Sequence, residues 1–165
     1  MDIHSFQPII DARCRVLILG TVPGPVAFRT KQFYGFKGNH FWPIMVSLFA
    51  PDGPKAPELA YAQKVRLVLA NRVAIWDVVK SCRRVGSSDS AMTCIVPTDI
   101  PDLLKKHRGI QAIFLNGKTA ERLYRKFSAD RVAVPAFCLP STSPANASIG
   151  FHEKLKRWSV VRKFL

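Results

Sequence analysis

The chain lacks several features that would place it in other classes of protein. It has four cysteines, but none of them forms a Cys-x-x-Cys pair, so the usual zinc and iron–sulfur patterns are absent. No apolar run approaches the roughly 18 residues that a membrane-spanning helix needs. The amino terminus has no basic segment ahead of an apolar one, so we expect no secretory signal and a cytoplasmic or nucleoid location. We expect no metal, no cofactor and no membrane contact, and four reduced, structural thiols, mostly buried: Cys14, Cys82, Cys94 and Cys138.

Acidic residues are also scarce in this chain. Eleven Asp and Glu stand against 25 Lys and Arg, which leaves a formal net charge of +14. Nucleic acid is one partner that such a charge favours, because each neutralised phosphate adds to affinity. A generic basic surface is the other interpretation, and charge alone does not decide between them. The 165 residues, 48% of them hydrophobic, predict a single domain over residues 1–165 with a real core.

Four short apolar runs alternate with helical patterns along the chain. The runs cover residues 15–20, 73–78, 110–115 and 132–139. The helical patterns cover residues near 39–49, 57–70, 99–107, 117–127 and 152–163. Nearly continuous apolar character is typical of parallel strands that are covered on both faces. The alternation therefore predicts an α/β fold, a three-layer αβα sandwich around a central four-stranded, mainly parallel sheet.

The last helical pattern carries an apolar stripe. Four residues recur at helical spacing and are expected to face the core: Leu155, Trp158, Val161 and Leu165. Four cations are expected elsewhere, on the surface: Lys154, Lys156, Arg157 and Lys163. This is the one predicted helix that combines an apolar stripe with cations. A single helix of this kind makes adhesion of the protein to a membrane less favoured than binding of nucleic acid.

The segment after the first apolar run is the most informative part of the sequence. Residues 20–24, here called the glycine loop, form a Gly-x-x-Pro-Gly turn at the end of that predicted strand. In open α/β sheets, ligand sites lie at the carboxyl ends of the strands. Residues 141–146, the late loop, repeat the arrangement after the last predicted strand. Two such loops in a chain of charge +14 indicate a pocket that faces a polyanion.

The segment between the glycine loop and the next helix interleaves aromatic residues with cations. Flat side chains beside cations are what stacking on a base next to its phosphates requires. Phe41 and Trp42 are expected in the core of the helix, so Tyr34 is the better stacking candidate. Asn39, fifteen residues after Gly24, has two interpretations that do not exclude each other. It can cap the helix, or its amide can bind a water or a base edge.

A third strand end resembles a phosphate-binding P-loop but lacks part of the pattern. Lys118 follows Gly117 at the start of a predicted helix, yet the earlier glycine of a P-loop is replaced by Ala112. The helix terminus and Lys118 can therefore meet a single phosphate at most.

These loops, in this order and at this spacing, resemble the uracil-DNA glycosylase superfamily, whose members excise damaged bases from DNA. The spacing is similar to the mismatch-specific uracil branch, but that branch has an asparagine where this chain has Val22. The combination of Val22, Asn39, residues 76–78, residues 86–90 and residues 139–146 is most similar to the hypoxanthine-DNA glycosylase family. The resemblance runs from about residue 5 to residue 160.

The resemblance implies a monofunctional DNA glycosylase that flips a deaminated base, above all hypoxanthine, out of double-stranded DNA and hydrolyses its glycosidic bond. It makes Asn39 the catalytic residue, which orients the attacking water or the base. Because Val22 cannot hydrogen-bond through its side chain, backbone groups of the glycine loop would take over the positioning of water. The implied base-binding residues are Gly20, Thr21, Val22, Pro23, Gly24, Phe33, Tyr34 and Asp77. The implied DNA-binding residues are Lys118, Ser141, Thr142, Ser143, Pro144, Ala145 and Asn146, with Ala145 and Asn146 filling the vacated space.

Several alternatives stay open at the level of sequence. The protein can instead be a uracil or G·U/T mismatch glycosylase, a non-catalytic DNA-binding module, or a phosphate-binding enzyme in which Lys118 contacts the phosphate. Asp77 can be a turn or cap residue instead of a pocket residue, and the resemblance puts Asp89 near the pocket. A monomer is expected, because no long hydrophobic seam is visible.

Overall fold

The computed structural model describes residues 2–86 and 91–165. The described strands are β1 (Asp2–His4), β2 (Val16–Gly20), β3 (Val73–Asp77), β4 (Val79–Arg84), β5 (Met92–Pro97), β6 (Ala112–Asn116) and β7 (Ala136–Leu139). The described helices are α1 (Pro25–Thr30), α2 (Phe41–Phe49), α3 (Tyr61–Ala70), α4 (Ile100–Lys106), α5 (Lys118–Phe127) and α6 (Phe151–Trp158). Short 3-10 turns cover Ala56–Glu58, Ala129–Arg131 and Ser159–Phe164.

The central sheet has four parallel strands in the order β3-β2-β6-β7. In the middle of the sheet, Val16 of β2 pairs with Val73 of β3 on one side and with Ala112 of β6 on the other. All residues of β2 and β6 are buried, as continuous apolar strands between two helical layers must be. The predicted four-stranded parallel sheet is confirmed.

The two faces of this sheet belong to two separate hydrophobic cores. Val16 and Ile18 face one core, which the apolar sides of α2, α3 and α6 complete. Leu17 and Leu19 face the other, which contains residues of α4, α5 and the amino-terminal strands. Successive side chains of a strand point to opposite faces, so one apolar strand serves both cores. Helices therefore cover both faces of the sheet, and the predicted three-layer fold is confirmed.

A second sheet was not predicted. β1, β4 and β5 form an antiparallel sheet in the order β1-β4-β5, with Ile3 of β1 opposite Cys82 of β4. None of its strands has a continuous run of buried residues, β5 has no buried residue at all, and β1 has only three residues. Sheets of this kind lack the continuous apolar runs by which the central strands were identified. This sheet shapes the site, because β4 follows directly after β3.

Other boundaries differ from the sequence prediction in ways with clear causes. The unpredicted helix α1 starts at Pro25, whose fixed φ angle suits the first turn of a helix. β7 begins at Ala136, because Pro135 has no N–H to add to the ladder. The helix predicted over residues 57–70 is a 3-10 turn followed by α3.

Two predictions about burial are wrong. Lys154, expected on the surface, is only 1% exposed, because α6 turns it under the late loop. Of the four thiols predicted to be mostly buried, only Cys14 and Cys82 are buried, whereas Cys138 is half-buried and Cys94 on β5 is exposed. Phe41 and Trp42 lie in the core as predicted.

Candidate active site

A cavity of about 470 Å³ opens at the carboxyl ends of the central strands. The last residues of β2, β3 and β6, which are Gly20, Asp77 and Asn116, all contribute to its wall. Its volume is in the range of small-molecule sites. The other residues that line it are Thr21, Val22, Pro23, Gly24, Pro25, Val26, Ala27, Phe33, Tyr34, Phe36, Asn39, Gly117, Lys118, Thr119, Ser141, Thr142, Ser143 and Pro144.

The glycine loop is held rigidly against the strand that follows β3. The backbone N–H of Val78 donates to the carbonyl of Gly20 at 2.9 Å, and that of Val79 donates to Thr21 at 3.0 Å. Nη2 of Arg84 donates to the carbonyl of Pro23 at 2.8 Å. The side chain of Val22 packs into the core and is only 8% exposed. Apart from the hydroxyl of Thr21, which also lines the cavity, polar contacts from this loop to a ligand must therefore come from its backbone.

Gly20 provides space that a larger residue would close. A Cβ at this position would lie 2.6 Å from Oδ1 of Asp77 and 2.9 Å from the hydroxyl of Tyr34. Both distances are too short for a real Cβ, so the absence of a side chain lets each of these polar groups approach the strand end.

Asn39 lies beside the start of α2 and also in the wall of the cavity. Its Oδ1 accepts a hydrogen bond from the backbone N–H of Phe41 at 2.9 Å, which caps the start of α2. The residue also lines the cavity. Because the carbonyl side of the amide is used for the cap, Nδ2 is the group of Asn39 that can donate toward a ligand.

Tyr34 contributes a flat wall to the cavity. Its ring stacks on Phe41 with a centroid distance of 3.8 Å and an interplanar angle of 19°. Since Phe41 covers one face of the ring, only the other face is left for a ligand. The hydroxyl is buried near Asp77 and Asn116, and burial, together with the charge of Asp77, raises the pKa of Tyr34.

Asp77 is part of the cavity wall and not of a surface turn. The residue is 3% exposed, and its Oδ2 accepts a hydrogen bond from Oγ of Ser5 at 2.7 Å. Among the described residues that line the cavity, it is the only one with a carboxylate.

Asn116 was missed by the sequence analysis, although it lies at the centre of the site. Its Nδ2 donates to Oγ1 of Thr142 at 2.9 Å, and its Oδ1 accepts from the N–H of Thr142 at 2.9 Å. This pair joins the end of β6 to the late loop. A polar residue that closes an apolar strand was the available signal, and the comparison with a P-loop drew attention to Gly117 and Lys118 instead.

The late loop lies partly in the cavity wall and partly outside it. Ser141, Thr142, Ser143 and Pro144 line the cavity, whereas Ala145 and Asn146 lie beyond its rim. Asn146 is tied back into the loop, since its Nδ2 donates to the carbonyl of Ser141 at 3.2 Å.

Lys154 holds this loop from below. Its Nζ donates to the carbonyls of Asn146 at 2.9 Å and Ser143 at 3.4 Å, and burial lowers the pKa of this lysine. The N–H of His40 also donates to the carbonyl of Thr142, at 2.9 Å, so the segment around Asn39 and the late loop are joined directly.

With this geometry in view, the chain was compared with known proteins. The sequence model of the uracil DNA glycosylase superfamily matches residues 7–162. The chain belongs to this superfamily.

Similar proteins agree with this membership. A hypoxanthine DNA glycosylase of Methanosarcina acetivorans is 31% identical over 146 residues, which are 87% of each chain. A protein of the same name from Methanosarcina barkeri is 30% identical over 118 residues, 72% of this chain and 73% of the relative. A solution NMR structure of a candidate uracil DNA glycosylase from Methanosarcina acetivorans has a TM-score of 0.81 at 29% identity, covering 99% of this chain and 98% of the other. The superfamily and these relatives identify this chain as a DNA N-glycosylase.

The remaining predicted site residues of this glycosylase differ in exposure. Phe33 is buried, packs edge-on against Phe6 at 5.1 Å, and accepts a hydrogen bond at its carbonyl from Trp42. Phe33 is therefore a core residue that also forms part of the cavity wall. Lys118 has an 87% exposed side chain at the rim, paired with Glu121 at 2.9 Å, and this hydrogen bond raises the pKa of Lys118.

Phe36 is a second residue that the sequence analysis missed. It is 48% exposed and lines the cavity of the glycosylase, an unusual exposure for a phenylalanine. Its ring lies over Gly38, where a Cβ would come within 2.7 Å of it. The alternation of aromatics and cations in this segment was the signal, but it was assigned to Tyr34 alone.

The chemistry available in the site is that of amides, hydroxyls, backbone groups and one carboxylate. Within residues 2–86 and 91–165, no group of three or more His, Cys, Asp and Glu side chains could hold a metal ion. Across the same residues, no helix has the length and apolar character needed to cross a membrane. Asp89, which the resemblance put near the pocket, lies outside the described residues.

Proposed function

We propose that this DNA N-glycosylase releases hypoxanthine from deoxyinosine in double-stranded DNA, as a step of base-excision repair. The observation that carries the proposal is the pairing of Asn39 with the apolar Val22 in one cavity of about 470 Å³. The amide of Asn39 and several backbone groups can position a water in this wall, whereas the amide of Asn116 is hydrogen-bonded to Thr142 and Val22 offers no polar side chain. Two relatives named hypoxanthine DNA glycosylase support the choice of base.

The proposed reaction begins with extrusion of the nucleotide from the duplex. Flipping costs a few kcal/mol, and less at a mispaired base, which favours deaminated bases over normal pairs. The flipped base enters the cavity against the free face of Tyr34. Nδ2 of Asn39 and the backbone of the glycine loop then hold the attacking water and the base. The base carries negative charge as it leaves, and these donors stabilise that charge.

The DNA itself is held at the rim of the cavity. We propose that Lys118 and the late loop contact phosphates that flank the flipped nucleotide. Ala145 and Asn146 lie outside the cavity, where they can fill the space that the base leaves in the stack. The enzyme acts as a monomer and as one domain in this proposal.

The reaction is proposed to be a hydrolysis that leaves an intact abasic site. A covalent mechanism needs an unprotonated lysine within reach of the sugar carbon. Lys118 is exposed and paired with Glu121, and Lys154 is occupied by the carbonyls of the late loop. Neither lysine is therefore set up as a nucleophile.

The test is single-turnover excision from duplexes that carry one deoxyinosine, one deoxyuridine, one G·T mismatch or only normal bases. The expected result is fastest cleavage at deoxyinosine. Asn39→Ala should slow it by about 100-fold or more, the scale of losing one positioned catalytic group. Because Asn39 also caps α2, the unfolding temperature and the affinity for undamaged DNA must be measured for the same variant.

Each other outcome has a definite meaning. Fastest cleavage at deoxyuridine would replace hypoxanthine by uracil as the substrate. Normal excision by a folded Asn39→Ala variant would reduce Asn39 to a helix cap. Tight, salt-sensitive DNA binding without any excision would mean that the protein is a non-catalytic DNA-binding module.

A further inference from the structure

Phe36 is a large apolar side chain that the fold leaves in contact with water. Four large hydrophobic side chains are exposed in the described part of the chain, and of these four only Phe36 also lines the cavity. Phe137, which is similarly exposed, packs against the rings of Phe114 and Phe164, whereas Phe36 has no such ring partner among residues 2–86 and 91–165. A side chain that lines a cavity and is also exposed lies at the mouth of that cavity, so Phe36 is placed there.

The backbone fixes Phe36 beside Asn39. The N–H of Asn39 donates to the carbonyl of Phe36 at 2.9 Å, which closes a tight turn over residues 36–39. The ring folds back onto this turn, because a Cβ on Gly38 would lie 2.7 Å from Cε1 of Phe36 and would displace the ring. A ring that is already held in place loses little further freedom when it contacts a ligand. The turn therefore presents a positioned aromatic ring next to the residue proposed to act in catalysis.

The late loop offers no side chain of comparable size outside the cavity. Ala145 has only a methyl group. Both ends of the Asn146 amide are used locally, since Nδ2 donates to the carbonyl of Ser141 at 3.2 Å and Oδ1 accepts from Oγ of Ser148 at 3.0 Å. These two residues can approach the place that a flipped base leaves, but they cannot replace its stacking surface.

The surroundings of Phe36 are cationic. Lys37 follows it directly, Lys31 comes just after α1, and both are exposed. Lys118 extends from the rim of the same cavity. An apolar protein partner would strip water from these charges, whereas a DNA duplex offers stacked bases between its phosphates. The charges beside the ring therefore favour DNA as the partner of Phe36.

We propose, on the basis of the base extrusion proposed above, that Phe36 inserts into the duplex and stacks on the base pair next to the flipped nucleotide. Extrusion removes the stacking of one base on its neighbours, and the ring of Phe36 replaces part of that stacking. Apolar side chains that enter between base steps stabilise unstacked DNA in this way. This role differs from that of Tyr34, whose ring meets the flipped base inside the cavity in the proposed function.

The decisive experiment compares a duplex that carries one deoxyinosine with the single strand of the same sequence. A single strand has no paired stack that must be held open, so its cleavage should not depend on Phe36. Phe36→Ala should slow single-turnover excision from the duplex, at subsaturating enzyme, by about 10-fold or more. Excision from the single strand should stay close to the native rate. If the native enzyme does not cleave the single strand, a duplex with deoxyinosine in an unpaired internal loop takes its place.

Two control variants separate insertion from other effects of the substitution. Phe36→Tyr keeps the flat ring and should retain excision from the duplex. Phe137→Ala removes a phenylalanine of similar exposure from β7, which does not line the cavity, and should change neither rate. The unfolding temperature is measured for all three variants.

The possible results distinguish this inference from the proposed function. If the native enzyme does not excise deoxyinosine from any substrate, the proposed function fails, and the same comparison is made with the base that the enzyme does excise. If Phe36→Ala slows excision from the open and the paired substrates equally, the ring acts inside the cavity or in folding, and the inference is overturned. Unchanged excision from the duplex in Phe36→Ala overturns it as well.

Discussion

At the scale of single residues, Tyr34 combines packing with a place in the cavity wall. One face of its ring covers Phe41, and the ring also forms part of the cavity wall. The residue has a φ of 55°, an uncommon backbone conformation for a side chain of this size. Such a conformation persists only where the surroundings impose it, and here it places a flat ring in the wall of the site.

We expect Tyr34→Leu to weaken capture of the damaged base by about 1–3 kcal/mol, as for other residues on which bases stack. Leucine keeps most of the apolar contact with Phe41 but offers no flat face. Tyr34→Phe is the matched control and should retain capture, since stacking needs the ring and not the hydroxyl. The measurement is the enzyme concentration at which single-turnover excision reaches half of its maximal rate. Equal concentrations for Tyr34→Leu and Tyr34→Phe would mean that Tyr34 does not contact the base.

At the scale of elements, the late loop depends on a buried lysine from α6. Lys154 donates to two carbonyls of the loop, and the N–H of Asn146 donates to the carbonyl of Ser143 at 3.0 Å. Hydrogen bonds from a charged donor contribute about 1.5–3 kcal/mol each, so this side chain adds substantially to the bonds that Asn116 and His40 make with Thr142. α6 therefore supports a segment that contacts DNA in the proposed function.

Lys154→Met should weaken binding of damaged DNA by about 10-fold, because the loop is no longer held in place. The amide of Asn146 should exchange its hydrogen faster in the same variant. Lys156→Met removes an equal charge from the exposed side of α6 and serves as the control. Equal effects of the two substitutions on DNA affinity would mean that Lys154 acts only through its charge.

At the scale of the whole molecule, the charge of +14 sets the general affinity for DNA. Contacts to phosphates release counterions, whereas contacts to a flipped base do not, so the two kinds of contact respond differently to salt. The cavity wall is mostly uncharged, while Lys118 extends from its rim.

Lys118→Gln should therefore reduce the slope of log affinity against log salt by about 0.9, the value for one phosphate contact. Asn39→Ala should leave this slope unchanged, because it changes the cavity and not the backbone contacts. The measurement is a titration of one duplex at several salt concentrations. An unaltered slope in Lys118→Gln would mean that this lysine contacts no phosphate of the bound DNA.

The central sheet and the location of the site could be predicted because their cause is local. Strands buried on both faces must be apolar throughout, and parallel strands bring their carboxyl ends to one edge. The second sheet could not be predicted in the same way, since β1 is short and neither β4 nor β5 has a continuous buried run. Lys154 was misplaced for a related reason: helical spacing shows which residues share a face, but not which loop will cover a cation.

The sequence by itself determined the parallel sheet, the loops at its strand ends and the excess of positive charge, since each depends on residue type and spacing. Asn39, Tyr34 and the late loop could be singled out on that basis. Only the tertiary structure decided which side chains meet: Asp77 with Ser5 and the space above Gly20, Asn116 with Thr142, and Lys154 with the late loop. These pairs join residues far apart in sequence, and their energies depend on burial and geometry that arise only when the layers pack together.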